Sequence, residues 1–400
     1  MRRKSSHPAK APFMNHEQWI EEILGAARVQ GLERHLRAFP NVGGRVEVDG
    51  RSLLNFASND YLGLATHPHV VEASQKALLS HGAGAAASRL VSGTLSLHED
   101  LETRLAEFKG YPSALTFGSG YMTNLGVLSA LAPDHVFADR LAHASLIDGI
   151  VLSRARLHRF RHNDVEHLER LLSKYPSERS VIVVESVYSM DGDIAPLVEL
   201  AELAQRFGLT LMVDEAHSTG IMGEQGRGLV SQLGLEDKVH VSMGTMSKAL
   251  GGYGGFIACS ARIRNLCVNR ARAFIYTTAM PPSVAGAALG ALDVLRDEPE
   301  LGTTLLKRCA RFREALRALG FDTMQTETQI VPVVVGGNEA ALDMARAMAA
   351  EGILVAAIRP PTVPAGMARL RFSVTLTHSN EDLDRTVDVL ANVGRKHGLI

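Results

Sequence analysis

Several things are scarce in this sequence, and each shortage excludes a class of protein. Among 400 residues there are three cysteines and one tryptophan, and 42 lysines and arginines stand against 43 aspartates and glutamates. Cys259, Cys267 and Cys309 are odd in number and have neither CxxC nor zinc spacing. They read as reduced packing thiols of a cytoplasmic protein. Balanced charge offers no basic surface, so neither nucleic acid nor membrane is expected as a partner. No apolar run approaches the roughly 20 residues needed to span a bilayer.

What is present points to a large α/β protein, since 400 residues exceed one small core. Leu209-Thr210-Leu211-Met212-Val213-Asp214-Glu215-Ala216-His217 is an apolar run ending in acid and imidazole. Val239-His240-Val241-Ser242-Met243-Gly244-Thr245-Met246-Ser247-Lys248 is a second, ending in hydroxyls and a lysine. Two such segments read as buried strands whose polar ends meet at the carboxyl edge of a sheet, where open α/β sheets bind ligands. A lysine and a carboxylate at one edge suit pyridoxal phosphate, the lysine as Schiff-base partner and the carboxylate on the pyridine nitrogen. Taken alone, an aspartate at a strand end is more often a cap, and a lysine more often a solvated charge.

The rest of the chain raises that reading. Residues 1–16 form a basic tail, expected to be disordered, and 17–57 an arm made of a helix over 17–37 and a hairpin turning at Asp49-Gly50. A helix over 69–81, a small-residue loop over 82–94 and a helix over 98–109 follow. Strands are expected at 114–117, 135–138, 155–160, 181–185, 209–214, 239–242 and 255–259, with helices at 124–131, 167–174 and 197–207. The alternation predicts a mainly parallel sheet within a large domain over 58–290. A helix over 283–296 leads to a smaller C-terminal α/β domain, 291–400. Its strands are expected at 330–335, 354–357 and 368–373, and its helices at 305–319, 339–351 and 381–396.

Three more clusters follow expected strands. Phe117-Gly118-Ser119-Gly120-Tyr121-Met122-Thr123-Asn124 opens a helix, where backbone N–H groups approach a phosphate. It is neither a P-loop, lacking Gly-Lys, nor a dinucleotide fingerprint, having Thr123 at the third glycine. His143 and Ser189 each read alone as loop residues. Parallel strands bring all of them to one edge.

These residues carry a family likeness. Asn59-Asp60-Tyr61-Leu62-Gly63-Leu64, Ser88-Arg89-Leu90-Val91-Ser92-Gly93-Thr94, Ser189-Met190-Asp191-Gly192-Asp193, Asp214-Glu215-Ala216-His217, Gly244-Thr245-Met246-Ser247-Lys248 and the Arg359-Pro360-Pro361-Thr362-Val363-Pro364 segment resemble the α-oxoamine synthases. Those are pyridoxal 5'-phosphate enzymes of the aspartate-aminotransferase fold (fold type I). The resemblance implies an acyltransferase that condenses an amino acid, L-alanine first, with an acyl thioester of coenzyme A or acyl carrier protein, and expels carbon dioxide. It implies that Lys248 binds the cofactor and moves the substrate Cα proton, that Asp214 pairs with the ring nitrogen, and that His143 stacks on the ring. His217 and Ser189 would bond the ring's phenolic oxygen. Ser119, Gly120, Tyr121 and Thr245 would hold the phosphate, with Thr277 and Thr278 arriving from the other subunit of a homodimer with shared active sites. Arg371 would bind the amino-acid carboxylate, with Asn59 near it. Arg359 is a candidate for a distant carboxylate on the acyl substrate, or a structural arginine bonding local carbonyls. One departure is Ala85-Ala86-Ala87, where the family favours glycine.

Overall fold

The structure, a computed structural model, describes residues 16–400, so the expected tail lies outside the described residues except for His16. The first helix spans His16–Val29, shorter than expected. It stops because Gly31 takes a left-handed conformation (φ 63°) while Leu32 N–H closes on Ala27 O at 2.8 Å. Strands β1 (Arg45–Val48) and β2 (Arg51–Asn55) pair antiparallel about Asp49 and Gly50, both at positive φ as a two-residue hairpin requires. Ala86 also sits at φ 60°, a conformation that glycine adopts far more readily.

The main sheet contains β3 (Ser113–Phe117), β4 (His135–Asp139), β5 (Arg156–Phe160), β6 (Ser180–Glu185), β7 (Thr210–Asp214), β8 (Val241–Thr245) and β9 (Gly255–Cys259). Their order is β3-β9-β8-β7-β6-β4-β5, with β9 antiparallel to both neighbours and the others sharing one direction. Period-two alternation buries both faces: on β6, Val181 and Val183 join one hydrophobic cluster with Val127 and Leu146, while Ile182 and Val184 join the other with Leu168 and Leu200. Strand β8 begins two residues later than expected, because Val239 closes the preceding turn on Leu235 O at 2.9 Å. Helices Ala144–Ser153 and Ala261–Arg270 were not expected. The first is apolar nearly all round and packs so closely that a Cβ on Gly149 would lie 2.8 Å from Asn124 O.

Helix Pro282–Asp297 runs unbroken across the expected boundary at 290/291. Beyond it come β10 (Ile330–Gly336), β11 (Ile353–Leu354), β12 (Ala356–Ile358) and β13 (Ala368–Ser373). The strand expected at 354–357 is split: β11 pairs parallel with β2 in the arm, and β12 joins an antiparallel β10-β13-β12 sheet. Among the described residues no helix is long and apolar enough to cross a membrane.

A buried ionic brace ties β13 to the turn after β6. The Arg369 guanidinium, 1% exposed, pairs with Asp191. Nearby, His162 is held by Asp193 through Nε2 at 2.7 Å and by Asp139 through Nδ1 at 3.0 Å. Burial opposes charge on this imidazole, but carboxylates on both nitrogens outweigh it and raise its pKa to about 10. The resulting stabilisation is complete below the ordinary histidine value of about 6.5 and is lost as pH rises through about 10. Denaturant titrations of wild type and His162→Gln should therefore show a stability gap that is widest near pH ~6 and closes toward pH ~10. A gap constant with pH would show that the imidazole is not held charged.

Candidate active site

Strand direction delivers the chemistry to one edge. β7 ends in Asp214, whose Oδ2 accepts from Asn124 Nδ2 at 2.8 Å and whose Oδ1 accepts from Ala216 N–H at 2.9 Å. Asn124 lies one turn into helix Gly120–Leu131, whose first turn is capped by Ser119 Oγ accepting from Met122 N–H at 3.1 Å. That helix start lies tight against β9, since a Cβ on Gly255 would come within 2.8 Å of Gly120 N. The backbone N–H groups of that first turn could hold an anion beside the carboxylate.

Lys248 follows β8, and its Nζ lies 2.8 Å from His217 Nε2. His217 Nδ1 lies 2.8 Å from Tyr61 Oη, which also meets Asn59 Oδ1 at 3.1 Å. Arg371 on β13 donates to Ser189 O at 2.6 Å, Ser373 Oγ at 2.7 Å and Asn59 Oδ1 at 3.3 Å. Burial, then the Arg371 charge, lowers the Lys248 amine to about 8 against the opposing pull of Asp214 and Glu185. Burial and the neighbouring Lys248 hold His217 well below its ordinary value, so the imidazole is neutral.

A cavity of about 230 Å³ joins these groups, lined among others by Ser119, Gly120, His143, Asp214, Thr245 and Lys248. Tyr121 also lines it, its hydroxyl turned to Asp148. His143 caps helix Ala144–Ser153, its Nδ1 accepting from Ser145 N–H at 3.2 Å, and so presents its ring to the cavity. Ser189 lies instead on an adjoining cavity of about 670 Å³, which shares His143. Thr277 and Thr278 do not line their own chain's cavity, and Thr278 bridges to Ser88. The Arg359 guanidinium donates to Gly31 O and lines neither cavity.

Three residues at the site carry no role in the sequence reading. Asn124 orients Asp214. Tyr61 extends the His217 contact toward Arg371. Glu185 lies opposite Asp214 in the β6–β7 register and accepts from His143 N–H at 2.6 Å. A carboxylate closing a buried strand beside another one was the available signal.

The aminotransferase class I and II model matches residues 51–390. The chain belongs to that family. The 8-amino-7-oxononanoate synthase of Geobacter sulfurreducens is 49% identical, aligned over 94% of this chain and 98% of its own. A solved structure of serine palmitoyltransferase with its PLP internal aldimine is 32% identical, covering 96% of this chain and 99% of that chain at a TM-score of 0.89. The 8-amino-7-oxononanoate synthase structure from Francisella tularensis is 28% identical, covering 87% and 99%, with a TM-score of 0.75. The fold is the pyridoxal-phosphate-dependent transferase fold, and the α-oxoamine synthase resemblance stands.

Burial and the adjacent Asp214 raise the Glu185 carboxyl to about 8. Such a group stabilises the fold fully below its ordinary value of 4.5, and that contribution is lost as pH rises through about 8. In cofactor-free protein, Glu185→Gln should therefore gain thermal stability relative to wild type as pH climbs from about 5 to about 8. A difference that does not vary with pH would show the carboxyl ionised in the fold.

Proposed function

We propose that this chain condenses L-alanine with a pimeloyl thioester, expelling carbon dioxide and thiol, to give 8-amino-7-oxononanoate, the biotin precursor. The observation that carries the reading is a buried lysine amine lowered to about 8, sharing one cavity with Asp214 and a helix N-terminus. These parts fit pyridoxal phosphate: an anion site, a carboxylate for the ring nitrogen and an amine for its aldehyde. Bound there, the cofactor supplies the electron sink that makes an amino-acid Cα acidic.

The chain's own residues do the rest. Asp214, held by Asn124 and Ala216, pairs with the ring nitrogen, and Ser119, Gly120, Tyr121 and Thr245 hold the phosphate. His143 stacks on the ring and His217 serves its phenolic oxygen, with Ser189 beside them on the adjoining cavity. Arg371, with Asn59, takes the alanine carboxylate. Lys248, close to half neutral near pH 8, withdraws the Cα proton. The new carbon–carbon bond forms at the thioester carbonyl, the thiol departs, the carboxylate leaves as carbon dioxide, and Cα takes a proton in its place. Thr278 is exposed and Thr277 half-buried, and both serve the site of a second copy in a homodimer. Arg359 fastens the 359–364 segment to the arm through Gly31. A tail, an arm, a large domain to about 290 and a small C-terminal domain remain our division of the chain, and the cytoplasm its compartment. The carrier is coenzyme A or acyl carrier protein.

Glycine C-acetyltransferase and serine palmitoyltransferase chemistry are the alternatives. The serine palmitoyltransferase structure is less similar, at 32% identity, than the Geobacter sulfurreducens synthase, at 49%. A panel of alanine, glycine and serine against graded acyl thioesters, scored by thiol release, tests the choice. Fastest turnover with alanine and pimeloyl is expected, and preference for glycine with acetyl or serine with palmitoyl would reject it.

Borohydride reduction of the holoenzyme should fix cofactor mass on the peptide carrying Lys248, and Lys248→Ala should abolish that label. Label on another lysine would refute the assignment. Asp214→Asn should retain cofactor yet slow exchange of alanine's α-proton in deuterium oxide about 100-fold or more, because preorganised charge is commonly the largest catalytic contribution.

A further inference from the structure

The larger cavity, about 670 Å³, meets the smaller one at His143 and is walled by apolar groups including Leu141, Ile147, Met190, Val363 and Pro364. Four charged side chains also line it. Asp148 accepts from the Tyr121 hydroxyl, and Asp191 is paired with Arg369. The other two are Arg140 and Arg159. Arg159 is on β5 and Arg140 directly follows its parallel neighbour β4, where Arg140 N–H donates to Phe160 O at 3.0 Å. Among the described residues neither guanidinium makes a hydrogen bond or ion pair. Each acid on this wall thus has a partner, while both arginines lack one.

Both arginines are exposed to solvent where they line the cavity, so each is free to meet an incoming anion, and a guanidinium fork matches carboxylate or phosphate. The Arg359 guanidinium, by contrast, donates to Gly31 O and lines neither cavity. We infer that Arg140 and Arg159 form the anion-recognition end of the acyl-thioester site. The anion they bind is either the free carboxylate of a dicarboxylic acyl chain or a phosphate of its carrier. The inference deepens the proposed function and rests on it for the thioester.

Calorimetric binding to the holoenzyme without amino acid, where no turnover occurs, reads this directly. The ligands are pimeloyl-CoA, heptanoyl-CoA and the N-acetylcysteamine thioesters of the same two acids. Arg140→Gln with Arg159→Gln should weaken pimeloyl binding on both carriers about tenfold or more and leave heptanoyl binding unchanged, as loss of charge-assisted bonds predicts. Loss confined to both CoA thioesters supports the anion site and assigns it to carrier phosphate. Unchanged affinities, or equal loss on all four ligands, overturn the inference. Thiol release by wild type with alanine is followed in parallel. Absent release together with charge-selective binding would reject the proposed reaction while keeping the anion site.

Discussion

Glu215 has no exposure to solvent, and the turn that carries the chemistry is tied to its carboxylate. Lys109 Nζ meets Oε2 at 2.6 Å, Ser242 Oγ donates to the same oxygen at 2.8 Å, and Val230 N–H and Ser218 Oγ donate to Oε1 at 2.9 and 3.1 Å. The lysine side chain is itself only 1% exposed. Removing one member of such a buried pair typically costs about 3–5 kcal/mol, because the other charge is left stranded. Asp214 precedes Glu215 and His217 follows two residues later, so neither can drift while this knot holds. Gly228 is required for the approach: a Cβ there would lie 2.5 Å from Glu215 Oε1 and 2.6 Å from Lys109 Nζ.

The active cavity follows the opposite electrostatic policy from that knot. Around Glu215 every lone pair finds a donor, so burial and charge coexist. Around Lys248, burial moves three neighbours toward neutrality: the lysine down, Glu185 up and His217 down. A base must be able to lose its proton, and this environment permits it near neutral pH. Arg371 keeps a permanent charge at the same place, available for a substrate carboxylate.

Short apolar runs locate the central strands of the main sheet because β6, β7 and β8 bury both faces, whereas the edge strand β5 is half-exposed. Their shared direction then explains how clusters far apart in sequence meet at one edge. Other features depend on partners that no local pattern exposes. Lys109 and Glu215 are 106 residues apart, and Tyr61 and His217 are 156 apart. The 354–357 segment reads as one strand, but β2 claims its first part and β13 its second. Helix Ala144–Ser153 lacks a polar face and so lacks the period that would reveal it. Ser189 illustrates a finer limit. Its place after β6 is legible, yet its side chain lies on the larger cavity and its carbonyl holds Arg371.

The hydrogen bonds also tie the Lys248 amine into a buried polar chain. Asn59 Oδ1 receives Arg371 at 3.3 Å and lies 3.1 Å from the Tyr61 hydroxyl, which in turn lies 2.8 Å from His217 Nδ1. The one phenolic proton serves either acceptor, so two arrangements satisfy the chain: Tyr61 to Asn59 with the imidazole proton on Nδ1, or Tyr61 to His217 with that proton on Nε2. In the first, His217 Nε2 accepts from Lys248 Nζ; in the second, it donates to the lone pair of the neutral amine. In both, one position of the amine is spent on a neutral imidazole held by Tyr61, which makes that imidazole an orienting group for the base.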